Sequence, residues 1–114
     1  MKIKFIVIDP TTSSIEKKEF GGTYGEIQDQ LNGSVYHDTL TNGDLLFYEY
    51  PQEECESEDV TIVGSRGYKG KVVITGEPTK NSDQYNWRCK NVKTPMRKLK
   101  ENVIYSKVDE VVFQ

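Results

Sequence analysis

An α+β fold, compact and mainly antiparallel β-sheet with one early helix and one short late helix, is predicted by three features of this sequence. The first is composition. Valine and isoleucine together number nineteen, leucine five, and alanine is absent. Side chains branched at Cβ suit the pleated sheet, whereas alanine and leucine suit helices. The second is Asn42-Gly43, set between two apolar runs, a strong short-range hairpin signal. The third is the clearest helix start, Thr23-x-x-Glu26, which fits a capping box. At 114 residues the chain has room for one core and reads as a single domain, 1–114.

Each element follows in order. Residues 2–9, KIKFIVID, read as a strand that is apolar on both faces and therefore central in its sheet. Asp9-Pro10 ends it, because proline lacks an N–H and restricts the residue before it. Residues 15–20 form a second strand after a polar turn, making a hairpin. In the helix that Thr23 opens, Tyr24, Ile27 and Leu31 fall at i, i+3 and i+7 on one stripe, and Gly33 stops it. Residues 34–40 and 44–50 are strands flanking the Asn-Gly turn. Residues 52–59, with five acids in eight positions, read as a solvated loop.

Residues 60–64 and 71–76 read as the next strand pair, with 65–70 as their connection. Tyr85, Trp87 and Cys89 alternate with Asn86, Arg88 and Lys90, the pattern of a half-buried strand with its aromatics and thiol inward. Thr94-Pro95 reads as N-cap and first residue of a short helix that carries Met96 and Leu99. Segments 103–106 and 110–113 read as short final strands.

Composition narrows the function classes. With 35% hydrophobic and 29% charged residues, the chain is too apolar for an acidic disordered tail and too polar for a membrane protein. No apolar run approaches the ~20 residues of a membrane-spanning helix. Lys2 and Lys4 precede only four apolar residues before Asp9, which is not the pattern of a secretory signal. A soluble, cytoplasmic protein is expected. Cys55 and Cys89 read as reduced thiols, since disulfide scaffolds of this size usually carry more cysteines. One histidine, His37, and no Cys-x-x-Cys leave no metal-ligand spacing, and no cofactor is expected.

The net charge of −3 hides a division. Residues 1–63 hold four lysines against thirteen acids, net −9; residues 64–100 hold ten bases against two acids, net +8; residues 101–114 are net −2. Such asymmetry bears on partners rather than on fold.

Within the basic stretch, Gly64-Ser-Arg-Gly-Tyr-Lys-Gly70 combines three glycines with two cations. Backbone N–H groups and Arg66 could turn to an anion there. It is not a phosphate-binding loop of the Gly-x-x-x-x-Gly-Lys type, and its ordinary reading is an exposed hairpin loop. Aromatics among cations, with Tyr68 and Trp87 beside Arg66, Lys69, Arg88 and Lys90, suit stacking and charge pairing with a nucleotide. The competing reading puts the aromatics in the core and the cations in solvent. Glu53, Glu54, Glu56, Glu58 and Asp59 lack calcium-loop spacing. His37 has no nucleophile partner in its neighbourhood of sequence, and no catalytic motif emerges.

Three segments carry a resemblance: Gly43-Asp-Leu-Leu-Phe-Tyr-Glu49, Gly70-Lys-Val-Val-Ile-Thr-Gly-Glu-Pro78 and Val92-Lys-Thr-Pro-Met-Arg-Lys-Leu-Lys-Glu-Asn-Val-Ile-Tyr105. In order and spacing they resemble a small uncharacterised domain family of bacteriophages and mobile elements. Segments 52–59 and 85–90 have no counterpart in that pattern. The family has no assigned chemistry, so no site residues carry over. The resemblance implies an accessory protein acting in a bacterial cytoplasm.

The leading expectation is a non-enzymatic protein that binds and inhibits a host protein. The alternative is sequestration of a small anionic nucleotide by Arg66, Tyr68, Lys69, Trp87, Arg88 and Lys90. Polynucleotide binding is a further reading, opposed by the overall acidity. An enzyme ranks last. An exposed edge strand would let two copies pair, so the sequence accommodates a monomer or a homodimer.

Overall fold

The apolar run at the N-terminus forms β1 (Ile3–Asp9), paired antiparallel with β2 (Ser14–Phe20) in the expected hairpin. The computed structural model describes residues 2–78 and 88–108. Within them the chain continues through α1 (Tyr24–Leu31), β3 (Val35–Thr39), β4 (Leu45–Glu49), β5 (Asp59–Val63), β6 (Arg66–Lys69), β7 (Val72–Thr75), α2 (Met96–Asn102) and β8 (Val103–Lys107). A five-stranded sheet runs in the order β2-β1-β7-β4-β3, and a three-stranded sheet in the order β6-β5-β8. Every strand pair in both is antiparallel, the α+β architecture expected from the sequence.

The five-stranded sheet is covered on both faces. On one, α1 lays Tyr24, Ile27 and Leu31 against Ile3, Phe5, Val7, Phe47 and Val73, with Cys89 alongside. On the other, Ile6, Ile8, Leu46, Tyr48, Val72 and Ile74 meet Tyr68 of β6 and Leu99 of α2. Two-sided burial explains why β1, β4 and β7 lack the polar alternation of a half-exposed strand.

The same requirement corrects the third strand pair. The sequence pairs 60–64 with 71–76, but β5 pairs with β6 and β8, while β7 lies between β1 and β4. Residues 72–75 are all buried, and only a central position in a covered sheet provides that. Residues 66–69, read as connection, form a strand because Gly64, at φ 64°, closes a two-residue turn onto Arg66. Gly70, at φ 82°, then carries the chain from the small sheet to the large one.

Helix α1 begins as the sequence predicts. The Thr23 hydroxyl accepts the Glu26 N–H, and the Glu26 carboxylate accepts the Thr23 N–H and hydroxyl and the Gly21 N–H. The helix closes at Asn32, in the left-handed region at φ 63°, followed by Gly33. Thr23→Ala is expected to cost about 1 kcal/mol in urea unfolding. The Gly21 N–H, and then the Thr23 hydroxyl, hold the Glu26 carboxyl below the ordinary glutamate range. Its contribution is therefore present above that range and is lost as pH falls through the lowered value. Glu26→Gln should show a correspondingly shallower acid loss of stability.

The start of α2 differs from expectation. Pro95 is the N-cap, and Thr94 makes no cap bond to the helix. Its hydroxyl and N–H instead donate to Asp44 Oδ2 at 2.6 and 2.8 Å, and the Lys93 N–H reaches the same carboxylate at 3.0 Å. Asp44 is fully buried and Thr94 nearly so. The loop between β3 and β4 is thereby tied to the entry of α2. Acidic segment 52–59 is exposed at Glu53, Glu54, Glu56 and Glu58, as expected, although residues 52–54 form a 3-10 turn and Asp59 opens β5. Expected segment 110–113 lies outside the described residues. Among these, no helix is long and apolar enough to cross a membrane.

Candidate functional site

Side chains two apart in a strand share a face, and directly paired residues of antiparallel strands share it too. Tyr36 and Asp38 of β3 therefore stand on one face with Tyr48 and Leu46 of β4, their cross-strand partners. Tyr50, two residues past Tyr48, joins them. From the small sheet, β6 brings Arg66 and Tyr68 over this face by the same alternation.

The rings form a continuous row. Tyr68 and Tyr48 lie 5.0 Å apart between centroids, Tyr48 and Tyr36 meet edge to face at 6.4 Å, and Tyr36 and Tyr50 lie 5.4 Å apart. Burial falls along the row. Tyr68 and Tyr48 are 3% and 4% exposed, whereas Tyr36 and Tyr50 are 52% and 55% exposed.

Arg66 sits over the inner end of the row. Its guanidinium carbon is 5.2 Å from the Tyr68 ring centre and 5.6 Å from that of Tyr48, and Nη1 pairs with Asp38 Oδ2 at 2.8 Å. The Tyr68 hydroxyl donates to the same carboxylate oxygen. Burial first, and then the bond to Asp38, push the Tyr68 phenol far above the usual tyrosine range. Burial also raises Tyr48, with Asp38 adding to it and Arg66 opposing.

Removing the Tyr68 hydroxyl takes one charge-assisted bond from Asp38. Tyr68→Phe is expected to cost about 1–2 kcal/mol in urea unfolding. Because the folded phenol is raised, its contribution is intact below the ordinary tyrosine range and declines as pH rises above it. The variant should lack that part of the alkaline loss.

Of the residues singled out from the sequence, the structure brings Arg66 and Tyr68 together. Lys69, one residue on, belongs to the opposite face of β6; its N–H donates to Gln52 Oε1 at 2.6 Å. Arg88 is exposed and bridges to Thr23 beside the start of α1. Lys90 is exposed, its N–H donating to the Glu77 carbonyl. Cys89, between them, packs in the α1 core, and Tyr68 in the core on the other face of the five-stranded sheet. The basic segment is thus divided by that sheet. Trp87 and Tyr85 lie outside the described residues.

Sequence reading missed Tyr36, Asp38, Tyr48 and Tyr50. The signal was present: the Asn42-Gly43 turn fixes the hairpin register, and that register sets Tyr36 against Tyr48. His37 is half-buried on the opposite face, its ring 5.5 Å from Phe47, and burial lowers its pKa against the pull of Asp38. Cys55 and Cys89 are both free thiols. Burial raises both, and the Cys55 thiol contacts the Lys69 carbonyl. Among the described residues, no group of three or more His, Cys, Asp or Glu is disposed to hold a metal ion.

No protein-family model, curated protein or solved structure matches this chain. The functional reading therefore rests on the site itself.

Proposed function

We propose that this chain is a non-enzymatic binding protein that docks a partner protein on the outer half of the tyrosine row, at Tyr36 and Tyr50. The observation that carries the reading is the exposure of two touching tyrosines, one on β3 and one just past the end of β4. Tyrosine and arginine are enriched among the residues that dominate protein interfaces, because a ring covers much area at little conformational cost. Here the inner rings and the Asp38–Arg66–Tyr68 bonds hold the exposed pair in place, so little further ordering is needed on binding.

The resemblance to phage domains makes a bacterial host protein the natural partner, with inhibition of that protein as the consequence and the host cytoplasm as the setting. Nucleotide capture draws less support. Arg66 already holds a carboxylate, and the segment with Arg88 lies across the sheet.

Photo-crosslinking tests the reading. Benzoylphenylalanine placed at position 36 or 50 should give a discrete protein adduct in bacterial lysate, while the same group at Lys17, exposed on β2, should not. No adduct from 36 or 50, or the same adducts from 17, would sink it.

A further inference from the structure

We infer that the segment docked at Tyr36 and Tyr50 is cationic, carrying arginine or lysine side chains. This rests on the docking reading and deepens it.

The chain itself displays the chemistry at the inner end of the row. There a guanidinium lies over Tyr48 and Tyr68 and completes its bonding with the Asp38 carboxylate. Tyrosine faces attract cations through the ring quadrupole, and an adjacent carboxylate adds to that attraction. The outer end repeats the ingredients with the cation left out. Tyr36 and Tyr50 expose their rings, and Tyr50 leads directly into the acid-rich segment 52–59.

Glu53, Glu54, Glu56 and Glu58 are all exposed. The four ion pairs among the described residues involve Glu16, Asp38, Asp59 and Glu77, and none of these four glutamates. Segment 52–59 contains no base. Its field favours approach of a cationic segment and opposes an acidic protein or a polynucleotide. The occupant that matches both the rings and the carboxylates is a basic stretch of a partner protein.

Amide spectra of the isotope-labelled protein, titrated with two nine-residue peptides, test this. One peptide carries four arginines among leucines and serines; in the other, glutamates replace the arginines. The arginine peptide should move the amides of Tyr36, Tyr50, Glu53 and Glu54 saturably, and the glutamate peptide should leave them in place. Glu53→Gln with Glu54→Gln should weaken the arginine peptide about three- to tenfold. Tyr36→Ser with Tyr50→Ser should abolish its effect. The inference is overturned if the arginine peptide leaves Tyr36 and Tyr50 unmoved, if it moves only the glutamates, or if both peptides act alike. In each of those cases, persistent crosslinking from positions 36 and 50 would keep the docking reading, and its absence would remove both.

Discussion

Asp44→Ala is expected to destabilise the fold by about 3–5 kcal/mol. The side chain is fully buried, and it accepts the Lys93 N–H, the Thr94 N–H and the Thr94 hydroxyl, with Asn42 Nδ2 at a longer 3.4 Å. Alanine leaves the donors of Thr94 facing a space without an acceptor. Each buried donor stranded in this way costs about 1–3 kcal/mol. Asp44→Asn should cost less than alanine, because its amide oxygen can take the Oδ2 position and accept the Thr94 donors, while its NH2 at the Oδ1 position meets the Lys93 N–H. Urea unfolding measures both. A loss below about 1 kcal/mol for alanine would show that the tie between the β3–β4 loop and α2 contributes little.

Gly76→Ala should cost about 2–3 kcal/mol for a steric reason. A Cβ at this position would lie 2.1 Å from the Asn91 carbonyl oxygen and 2.8 Å from that of Lys90. Both are backbone atoms, so no side-chain rotation relieves the overlap. The segment they belong to is fastened along its length: Cys89 N–H to the Gly22 carbonyl, Gly76 N–H to the Lys90 carbonyl, and Val92 N–H to the Lys4 carbonyl. Overpacking of this kind usually costs 1–3 kcal/mol. Hydrogen exchange should localise the damage, with protection lost at Gly76, Cys89 and Val92 and kept in β3 and β4. Parent-like stability together with parent-like protection would contradict the packing of this strap against the end of β7.

These two positions mark what the sequence could and could not convey. Local signals were legible. The capping box at Thr23 and Glu26, the hairpin at Asn42-Gly43 and the two-faced apolar run of β1 are written in neighbouring residues. Long-range pairings were not. Nothing near Val72 says that its strand leaves β5 and lies between β1 and β4; only burial on both faces, a property of the assembled sheets, decides it. Thr94 looked like a helix cap because its partner, Asp44, is fifty residues away.

The site divides in the same manner. Arg66 and Tyr68 were visible as a cation beside an aromatic, but Asp38, which holds both, required the stacking of one sheet on another. Tyr36 and Tyr50 could have been found from the hairpin register. Their exposure, which gives them their proposed role, could not.

On the proposed reading, a protein partner docks on those two rings. Capture from bacterial lysate, comparing the parent with Tyr36→Ser/Tyr50→Ser at matched folding stability, tests it most directly. Neither residue is buried, so the double variant should fold as the parent does. A protein should be retained by the parent and reduced at least about tenfold with the variant, the scale expected when interface anchors are removed. Equal retention by the two proteins would contradict it.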